Sequence, residues 1–109
     1  MKNRLKLFHL ITMLERKHSF ASLDADCRQI LDFIGRRQIE NLPNDAVTII
    51  DSLDISRPTV YRKLSALKDK QFIKEVWLEQ KLNYQLDNRA INFIGDLSKE
   101  LRAHFSAGE

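Results

Sequence analysis

The sequence predicts a mainly α-helical fold with one small β-hairpin, an α+β arrangement, and three observations support this prediction. Through most of the 109 residues, apolar side chains recur every three or four positions, which is the spacing of amphipathic helices. Between residues 72 and 87 this spacing is replaced by β-forming residues and by alternation of apolar and polar positions, which is typical of strands. The chain length suits one domain, residues 1–109, with one modest core.

Residues 45–69 predict two helices joined by a tight turn. The apolar stripe of the short first helix comprises Val47, Ile50 and Leu53. The turn is LDIS, and the second helix, residues 56–69, is expected to begin at Ser56, whose hydroxyl can accept a hydrogen bond from a first-turn amide. Pro58 suits that first turn because its missing N–H has no helical partner to lose. This is the sequence form of a helix-turn-helix, placed at residues 45–67, although a plain helical hairpin has the same periodicity.

The outer surface of the second helix carries most of the candidate functional residues. The residues expected in the core are Val60, Leu64 and Leu67. The basic, hydroxyl and aromatic side chains left outside suit phosphates and base edges, and Arg57 and Arg62 are best placed for paired hydrogen bonds to guanine. The two hydroxyl residues at the helix start have helix capping as their alternative role. With the hairpin, the candidate DNA-binding residues are Ser56, Arg57, Thr59, Tyr61, Arg62, Lys63, Lys68, Lys81 and Asn83.

The β-hairpin is predicted over residues 72–87. The segment FIKEVWLE is rich in β-forming residues, and apolar and polar residues alternate in LNYQLD. Gln80 and Lys81 are expected at the tip, and because they are not the Asn-Gly pair that two-residue turns favour, we expect a longer turn. Trp77 is expected to pack in the core or in an interface, with an exposed stacking role as the alternative.

Three further helices are predicted around this unit. One occupies residues 1–18, a second runs from a Ser22 cap to about Glu40, and the last covers residues 89–105. The last helix has a narrow apolar seam, as paired helices do, formed by Ala90, Ile94, Leu97, Leu101 and Phe105. We therefore hypothesise that the first and last helices pair with those of a second copy in a homodimer. A position on a membrane surface is the alternative for the basic first helix.

The segment LDISRPTVYRKLSALKDKQFI, residues 53–73, resembles the recognition-helix region of bacterial winged helix-turn-helix regulators, the MarR-like group most of all. The resemblance extends over residues 23–86. It implies a winged helix-turn-helix with extra N- and C-terminal helices, with helix 56–69 in the major groove and the wing, residues 72–87, on the DNA backbone or in the minor groove. It also implies dimerisation through the terminal helices and allows a small-molecule effector, which no residue identifies.

Two residues depart from the family pattern, because Asp54 and Gln71 stand where glycine is common. We expect Asp54 to adopt the left-handed conformation, which Asp tolerates better than most residues. At Gln71 we expect a less sharp turn into the wing.

The charge distribution favours a nucleic-acid partner. The formal net charge is only +3, but residues 1–18 and residues 56–81 each carry +4, whereas residues 19–55 carry −4. Positive charge is therefore concentrated at the N-terminus and in the segment that resembles a recognition helix.

Other functions find little support in the sequence. With three glycines there is no glycine-rich phosphate loop, and no nucleophile motif or carboxylate–histidine set is present, so neither an enzyme nor a cofactor is expected. His9, His18, His104 and Cys27 lack metal-ligand spacing. We expect exposed histidines and a core Cys27, with a redox role for that thiol as the alternative. One cysteine, no signal peptide and no long apolar segment indicate a cytoplasmic protein.

Two functional hypotheses follow from the sequence. The first is a sequence-specific regulator of transcription that binds double-stranded DNA as a homodimer. The second is a winged-helix module for protein–protein assembly, in replication or in plasmid or phage maintenance, in which Trp77 and the wing form an interface and no DNA sequence is read.

Overall fold

The structure, a computed structural model, describes residues 2–107. Along the chain lie α1 (Lys2–Lys17), a 3-10 turn (Phe20–Ser22), α2 (Ala25–Ile39), α3 (Ala46–Ser52), α4 (Arg57–Asp69), β1 (Ile73–Leu78), β2 (Lys81–Leu86) and α5 (Asn88–Ala107). The two strands pair antiparallel as a hairpin. The predicted fold class, mainly helical with one hairpin, is confirmed, while Met1 and residues 108–109 of the predicted domain lie outside the described residues.

The core lies where α2, α3, α4 and the hairpin meet. Its most enclosed side chains are Ile30, Ile34, Ile49, Val60, Leu64, Leu67, Phe72 and Ile73. Burying each such side chain stabilises the fold by about 1.5–3 kcal/mol. The predicted buried face of α4 is confirmed, and its packing against α2 fixes which side of α4 meets solvent.

The start of α2 corrects the prediction that Ser22 caps this helix. Asp24 is the cap, and its Oδ1 accepts a hydrogen bond from the Cys27 amide at 2.8 Å. Ser22 instead closes the 3-10 turn by donating its hydroxyl to the Ser19 carbonyl at 2.7 Å. The Phe20 ring packs edge-on against Phe72, with centroids 5.0 Å apart, and this contact holds the turn on the core. Asp24 has the advantage at the helix start because its charge also meets the positive end of the helix dipole.

The short helix α3 was predicted correctly in place, and Ile50 and Leu53 pack against the core as predicted, but Val47 does not. Asp45 caps it, because its carboxylate accepts from the Thr48 amide at 3.3 Å and from the Thr48 hydroxyl at 2.6 Å. Val47, expected on the buried stripe, is exposed, whereas Ile49 is fully enclosed. The side that faces the core consists of Ala46, Ile49, Ile50 and Leu53. This side is also spaced as a helix face, so spacing alone could not choose between the two stripes.

Just before α3, the chain pairs with the wing through a single bridge. Asp45 pairs with Asn83 as an isolated antiparallel bridge. Beside it, the Tyr84 amide donates to the Asn44 carbonyl at 3.1 Å. These contacts fix the base of the wing against the start of α3.

The end of α4 is sharper than the sequence suggested. Gln71 adopts φ 66°, and the Phe72 amide donates to the Leu67 carbonyl at 2.9 Å while the Gln71 amide donates to the Lys68 carbonyl at 3.0 Å. This is the hydrogen-bond pattern of a Schellman motif, in which the left-handed residue is usually glycine. Gln71 therefore makes the tight turn without being glycine. The left-handed conformation expected at Asp54 is not observed.

The hairpin tip is a two-residue turn, so the expectation of a longer turn is wrong. Leu78 pairs directly with Lys81, and the residues between them, Glu79 and Gln80, have φ values of 50° and 67°. Two positive φ values fit the twist of paired strands, which explains why this turn forms without the usual Asn-Gly pair. Lys81 is thus the first residue of β2 rather than part of the tip. In β2, Tyr84 and Leu86 are buried as the predicted alternation requires, but Asn83, expected on the outer face, is buried as well.

The terminal helices α1 and α5 pack on each other near the 3-10 turn. Leu14 of α1 is buried, and Asp96 of α5 accepts hydrogen bonds on one oxygen from Lys17 Nζ at 2.9 Å and from His18 Nε2 at 2.8 Å. The His18 side chain is only 12% exposed, so the expectation of an exposed histidine is wrong there. α5 begins at Asn88, whose amide donates to the Asp87 carboxylate at 2.7 Å.

Candidate nucleic-acid interface

The outer side of α4 presents two exposed arginines and a tyrosine. Arg62 lies two residues from the buried Val60, which places it about 200° around the helix, opposite the core. Tyr61 is 45% exposed, and Arg57 is exposed at the helix start. Neither arginine takes part in an ion pair within the described part of the chain. Both guanidinium groups therefore keep their five N–H donors for an external partner.

The start of α4 corrects the predicted role of Ser56. Its backbone occupies the cap position, but its hydroxyl donates to Thr59 Oγ1 at 2.8 Å instead of accepting from a first-turn amide. The first amides of α4 thus have no side-chain acceptor, and Pro58 lies within the first turn as expected. Free amides beside two hydroxyls at a helix start suit a phosphate oxygen.

Lys63 is separated from this outer side, although it was predicted with the DNA-binding set. Its side chain is only 20% exposed and its ammonium group donates to Asp24 Oδ2, next to the Asp24 oxygen that caps α2. This hydrogen bond lowers the pKa of Asp24 from 3.8 to about 2 and raises the pKa of Lys63. Lys63 therefore joins α4 to α2 in this structure.

Lys68 joins α4 to the wing. Its ammonium group donates to Glu75 Oε1 at 2.6 Å, and this hydrogen bond raises the pKa of Lys68. The partner carboxylate offsets its charge, so Lys68 offers less to a phosphate than the unpaired arginines do.

On the wing, the two predicted contact residues differ. Lys81 is exposed at the start of β2. Asn83 is only 3% exposed, its Oδ1 accepts from the Asn44 amide at 2.7 Å, and its Nδ2 donates to the Lys81 carbonyl at 3.3 Å. The structure gives Asn83 a different role from the predicted DNA contact, because its amide is buried and holds the wing against the chain before α3.

Trp77 is 70% exposed, so the expectation that it packs in the core is wrong. It lies in β1 directly across from Leu82 of β2. Trp77 lines a cleft of about 660 Å³ together with other wing residues and the segment before α3, residues 41–45. A separate open cleft of about 470 Å³ lies between α4, the wing and α3, and it is lined in part by Tyr61, Val47, Lys81 and Leu82. Val47 and Leu82 were not predicted as part of this surface, since their apolar character in sequence indicated only the core.

A third, mostly apolar cleft of about 330 Å³ lies between α2 and α5. Its lining includes Leu31, Ile39, Ala90, Phe93 and Ile94. No residue in it identifies a ligand. Cys27 lies in the core, where burial raises the pKa of its thiol, and a neutral buried thiol is a poor nucleophile, which argues against the redox alternative.

Within residues 2–107, no group of three or more histidine, cysteine or acidic side chains is arranged to hold a metal ion. Over the same range, no helix combines the length and apolar character needed to cross a membrane.

Comparison with solved structures identifies the fold. An ArsR-like transcriptional regulator from Rhodococcus sp. RHA1 is 23% identical, with a TM-score of 0.57 over 89% of this chain and 82% of that chain. MepR, a transcription regulator of the Staphylococcus aureus multidrug efflux pump MepA, is 16% identical, with a TM-score of 0.61 over 97% and 80% of the two chains. TubR from Bacillus thuringiensis serovar israelensis, bound to 24 bp of tubC, is 16% identical, with a TM-score of 0.57 over 80% and 94%.

The sequence comparisons returned no match, either to a protein-family model or to a curated protein. At the identities found, the structural likeness establishes the fold alone. It agrees with the fold implied by the resemblance to MarR-like regulators, since three proteins of this architecture cover at least 80% of the chain. The chain therefore has the winged helix-turn-helix fold, with an additional helix at each end.

Proposed function

We propose that this protein is a sequence-specific regulator of transcription that binds double-stranded DNA with α4 in the major groove. The observation that carries the proposal is the outer side of α4, where Arg57 and Arg62 are exposed and have no ion-pair partner among the described residues. A guanidinium group can donate two hydrogen bonds to the N7 and O6 of guanine, and each such pair contributes about 1–3 kcal/mol of base discrimination. Tyr61 adds an aromatic edge next to them.

Phosphate contacts would position this helix. The candidates are the hydroxyls of Ser56 and Thr59, the free amides at the start of α4, and the exposed ammonium group of Lys81 on the wing. Lys63 and Lys68 have a smaller role in the proposal because each already has a carboxylate partner. Solved structures of MepR and of TubR with DNA support DNA as the class of partner, because both proteins share this fold.

The proposal includes a homodimer formed through α1 and α5. Both helices expose large apolar side chains that the single chain does not cover, namely Leu5, Phe8, Met13, Ile91, Ile94 and Phe105. Apolar side chains clustered on terminal helices are typical of an interface. A dimer would also place two α4 helices for two half-sites in DNA. The apolar cleft between α2 and α5 lies beside this region and is the best candidate for a small-molecule effector.

The second candidate is a role in plasmid maintenance or in another assembly in which the wing binds protein. Two observations favour it: the exposed Trp77, and the likeness to TubR, a type III plasmid segregation protein. This candidate does not require Arg57 and Arg62 to read bases.

Selection from a pool of random duplexes separates the two candidates. The protein is incubated with the pool at about 150 mM salt, bound DNA is recovered and sequenced, and the Arg57→Ala/Arg62→Ala variant is treated in parallel. A regulator should enrich a motif containing guanine, and the variant should lose that preference while keeping the fold, since both side chains are exposed. Recovery of DNA without any motif would contradict sequence-specific regulation and leave the assembly function as the better account.

A further inference from the structure

The two edges of the hairpin differ, because only the β2 edge has partners. The Tyr84 amide of β2 donates to the Asn44 carbonyl at 3.1 Å, and the Leu86 amide donates to Gln38 Oε1 at 2.8 Å. Nothing in residues 2–107 pairs with the outer edge of β1, since the sheet consists of β1 and β2 and the bridge before α3 is made to β2. An open strand edge presents free N–H and C=O groups to another chain.

The register of the hairpin shows which backbone groups of β1 point outward. The amides of Tyr84 and Leu86 point away from β1, so the backbone groups of the residues paired with them, Glu75 and Ile73, point away from β2. The pattern repeats at every second residue, so the N–H and C=O of Trp77 point outward as well. Within the described chain, no backbone hydrogen bond from outside the hairpin reaches Glu75 or Trp77.

This edge is accessible to another chain. Lys74, Glu75, Trp77 and Leu78 are all exposed, and Trp77 keeps 70% of its surface in water. Apolar area that stays in water contributes nothing to the stability of the single chain, but it can be buried against a partner. The charges of Lys74 and Glu75 oppose indiscriminate pairing, as charged side chains do on natural sheet edges. The edge therefore favours a partner whose charges match it.

A second copy of β1 can pair with the first antiparallel, edge to edge, about a twofold axis. The residue on the axis sets the register, and charge excludes most choices. With Lys74 or Glu75 on the axis, that residue faces its own like charge in the second copy. With Trp77 on the axis, Glu75 faces Glu79 of the second copy, which again opposes like charges. An axis nearer either end of β1 leaves too few residues overlapping.

The register that remains has Val76 on the axis. Glu75 of each copy then faces Trp77 of the other, and both residues have the outward N–H and C=O groups needed to exchange hydrogen bonds. Lys74 faces Leu78, whose apolar side chain can pack against the lysine stem. The Val76 side chains of the two copies meet on the axis. The two hairpins thus form one continuous sheet in which no like charges are directly opposed.

We propose that β1 is a contact surface between copies of this chain, in which two β1 edges pair antiparallel about Val76 when molecules lie side by side on DNA. One short strand is too small an interface for a stable complex in free solution, where specific interfaces bury about 800 Å² per partner. Neighbouring molecules on one duplex have a high effective concentration, at which such a weak contact forms. The inference rests on the proposed function, and the contact links neighbouring homodimers and makes their binding cooperative.

Cysteine cross-linking tests the register directly. Residues on the axis form a pair without hydrogen bonds, whose Cα atoms lie about 4.5 Å apart, within the range that a disulfide spans. Val76→Cys is oxidised with diamide while it saturates a labelled mixed-sequence duplex with room for two dimers, with saturation established from anisotropy. We expect cross-linking to be at least about tenfold faster on this duplex than without DNA or on a duplex with room for one dimer.

Lys74→Cys is the matched control for cross-linking. Lys74 is exposed on the same strand, but in this register its two copies lie about 13 Å apart along the strands, so Lys74→Cys should not cross-link. The native Cys27 is buried in the core and should not react in either variant. Equal rates for the two variants, or no acceleration of Val76→Cys on the saturated longer duplex, would overturn the inference and leave the proposed function standing. If no duplex is bound, both fail.

Cooperativity gives a second measurement that needs no introduced cysteine. Proline at an outward-facing position keeps the hydrogen bonds of the hairpin but cannot donate to a second copy. Glu75→Pro should therefore lower the Hill coefficient on the longer duplex to that of independent sites. Glu75→Gln also removes the charge that pairs with Lys68, but it keeps the amide and should bind as cooperatively as the wild type. A Hill coefficient that Glu75→Pro leaves unchanged would count against the contact.

Discussion

Several residues other than glycine adopt the left-handed backbone conformation, which is strained for any residue with a Cβ. Gln71 has φ 66° where α4 ends, a conformation that costs a residue with a Cβ about 1–2 kcal/mol and costs glycine almost nothing. The turn is nevertheless required, because the Phe72 amide must reach the Leu67 carbonyl before the chain enters β1. The protein tolerates this strain since Phe72 is fully buried one residue later.

Gln71→Gly should therefore stabilise the protein. After allowing for the extra freedom of glycine in the unfolded chain, we expect the free energy of unfolding to rise by about 0.5–1 kcal/mol. Urea denaturation at neutral pH measures it. Lys70→Gly is the matched control: Lys70 has φ −85°, so glycine there brings no relief and should lower the stability. Equal effects of the two substitutions would contradict the assignment of strain to Gln71.

For single residues, the sequence predicted buried positions in α4 but not contacts between residues far apart in the chain. The buried face of α4 follows from local spacing, and Val60, Leu64 and Leu67 are buried as expected. The partners of Lys63 and Asn83 could not be predicted in this way, because Asp24 and Asn44 are each 39 residues away in the chain. Lys63 and Asn83 therefore looked like surface residues in the sequence, although one forms an ion pair and the other is buried.

At the scale of elements, the contact between α2 and α4 sets the orientation of the proposed DNA-binding helix. Buried side chains supply most of this contact, and the Asp24–Lys63 pair joins its polar edge. Asp24 has two roles there, since one oxygen caps α2 and the other accepts from Lys63. Protonation of Asp24 should therefore lower the stability of the fold and weaken a contact that positions α4.

The sign of this pH dependence follows from the lowered pKa. The pKa of Asp24 is about 2 in the folded protein, mainly because of the hydrogen bond from Lys63, against an ordinary value of 3.8. The unfolded state thus binds the proton more tightly, and the stability that Asp24 contributes is fully present above about pH 4 and is lost as the pH falls towards 2.

Asp24→Asn tests this contribution, because Asn caps helices nearly as well as Asp but cannot pair with Lys63 as a charge. We expect urea midpoints measured from pH 5 to pH 2 to fall less steeply for Asp24→Asn than for the wild type. Asp54→Asn removes the same charge at an exposed position without an ion pair in the described chain, and should remain parallel to the wild type. If the Asp24→Asn curve is also parallel, the pair contributes nothing to stability.

The positions of the helices and strands were predicted better than the caps and turns at their ends. All five helices and both strands lie where periodicity placed them, but the cap of α2, the burial of Val47 in α3 and the length of the hairpin turn were predicted wrongly. The buried side of α3 depends on the contact of Ile49 with the core, and the turn depends on the twist of the paired strands, which favours left-handed Glu79 and Gln80. The cap of α2 depends on the charge of Asp24 at the helix start. Periodicity reports which side of an element is apolar, and carries little information on such contacts.

At the scale of the whole molecule, the proposed dimer should depend on the apolar residues exposed on α1 and α5. Phe8→Glu/Phe105→Glu places two charges in the proposed interface while leaving the core of the single chain unchanged, because both rings are exposed. We expect sedimentation equilibrium to give twice the chain mass for the wild type and the chain mass for this variant. Val47→Glu, at an exposed position on α3, is the control and should remain dimeric. A monomeric wild type would contradict the dimer.

DNA binding by the outer side of α4 is most directly tested by the anisotropy of a labelled mixed-sequence duplex across a salt series. We expect the wild type to bind with a steep negative dependence on salt, which its phosphate contacts cause, and Arg57→Ala/Arg62→Ala to bind more weakly because it loses both proposed base contacts. Lys99→Ala, which removes an exposed cation on α5, should stay close to the wild type. A folded protein that binds no duplex even at low salt would contradict the account.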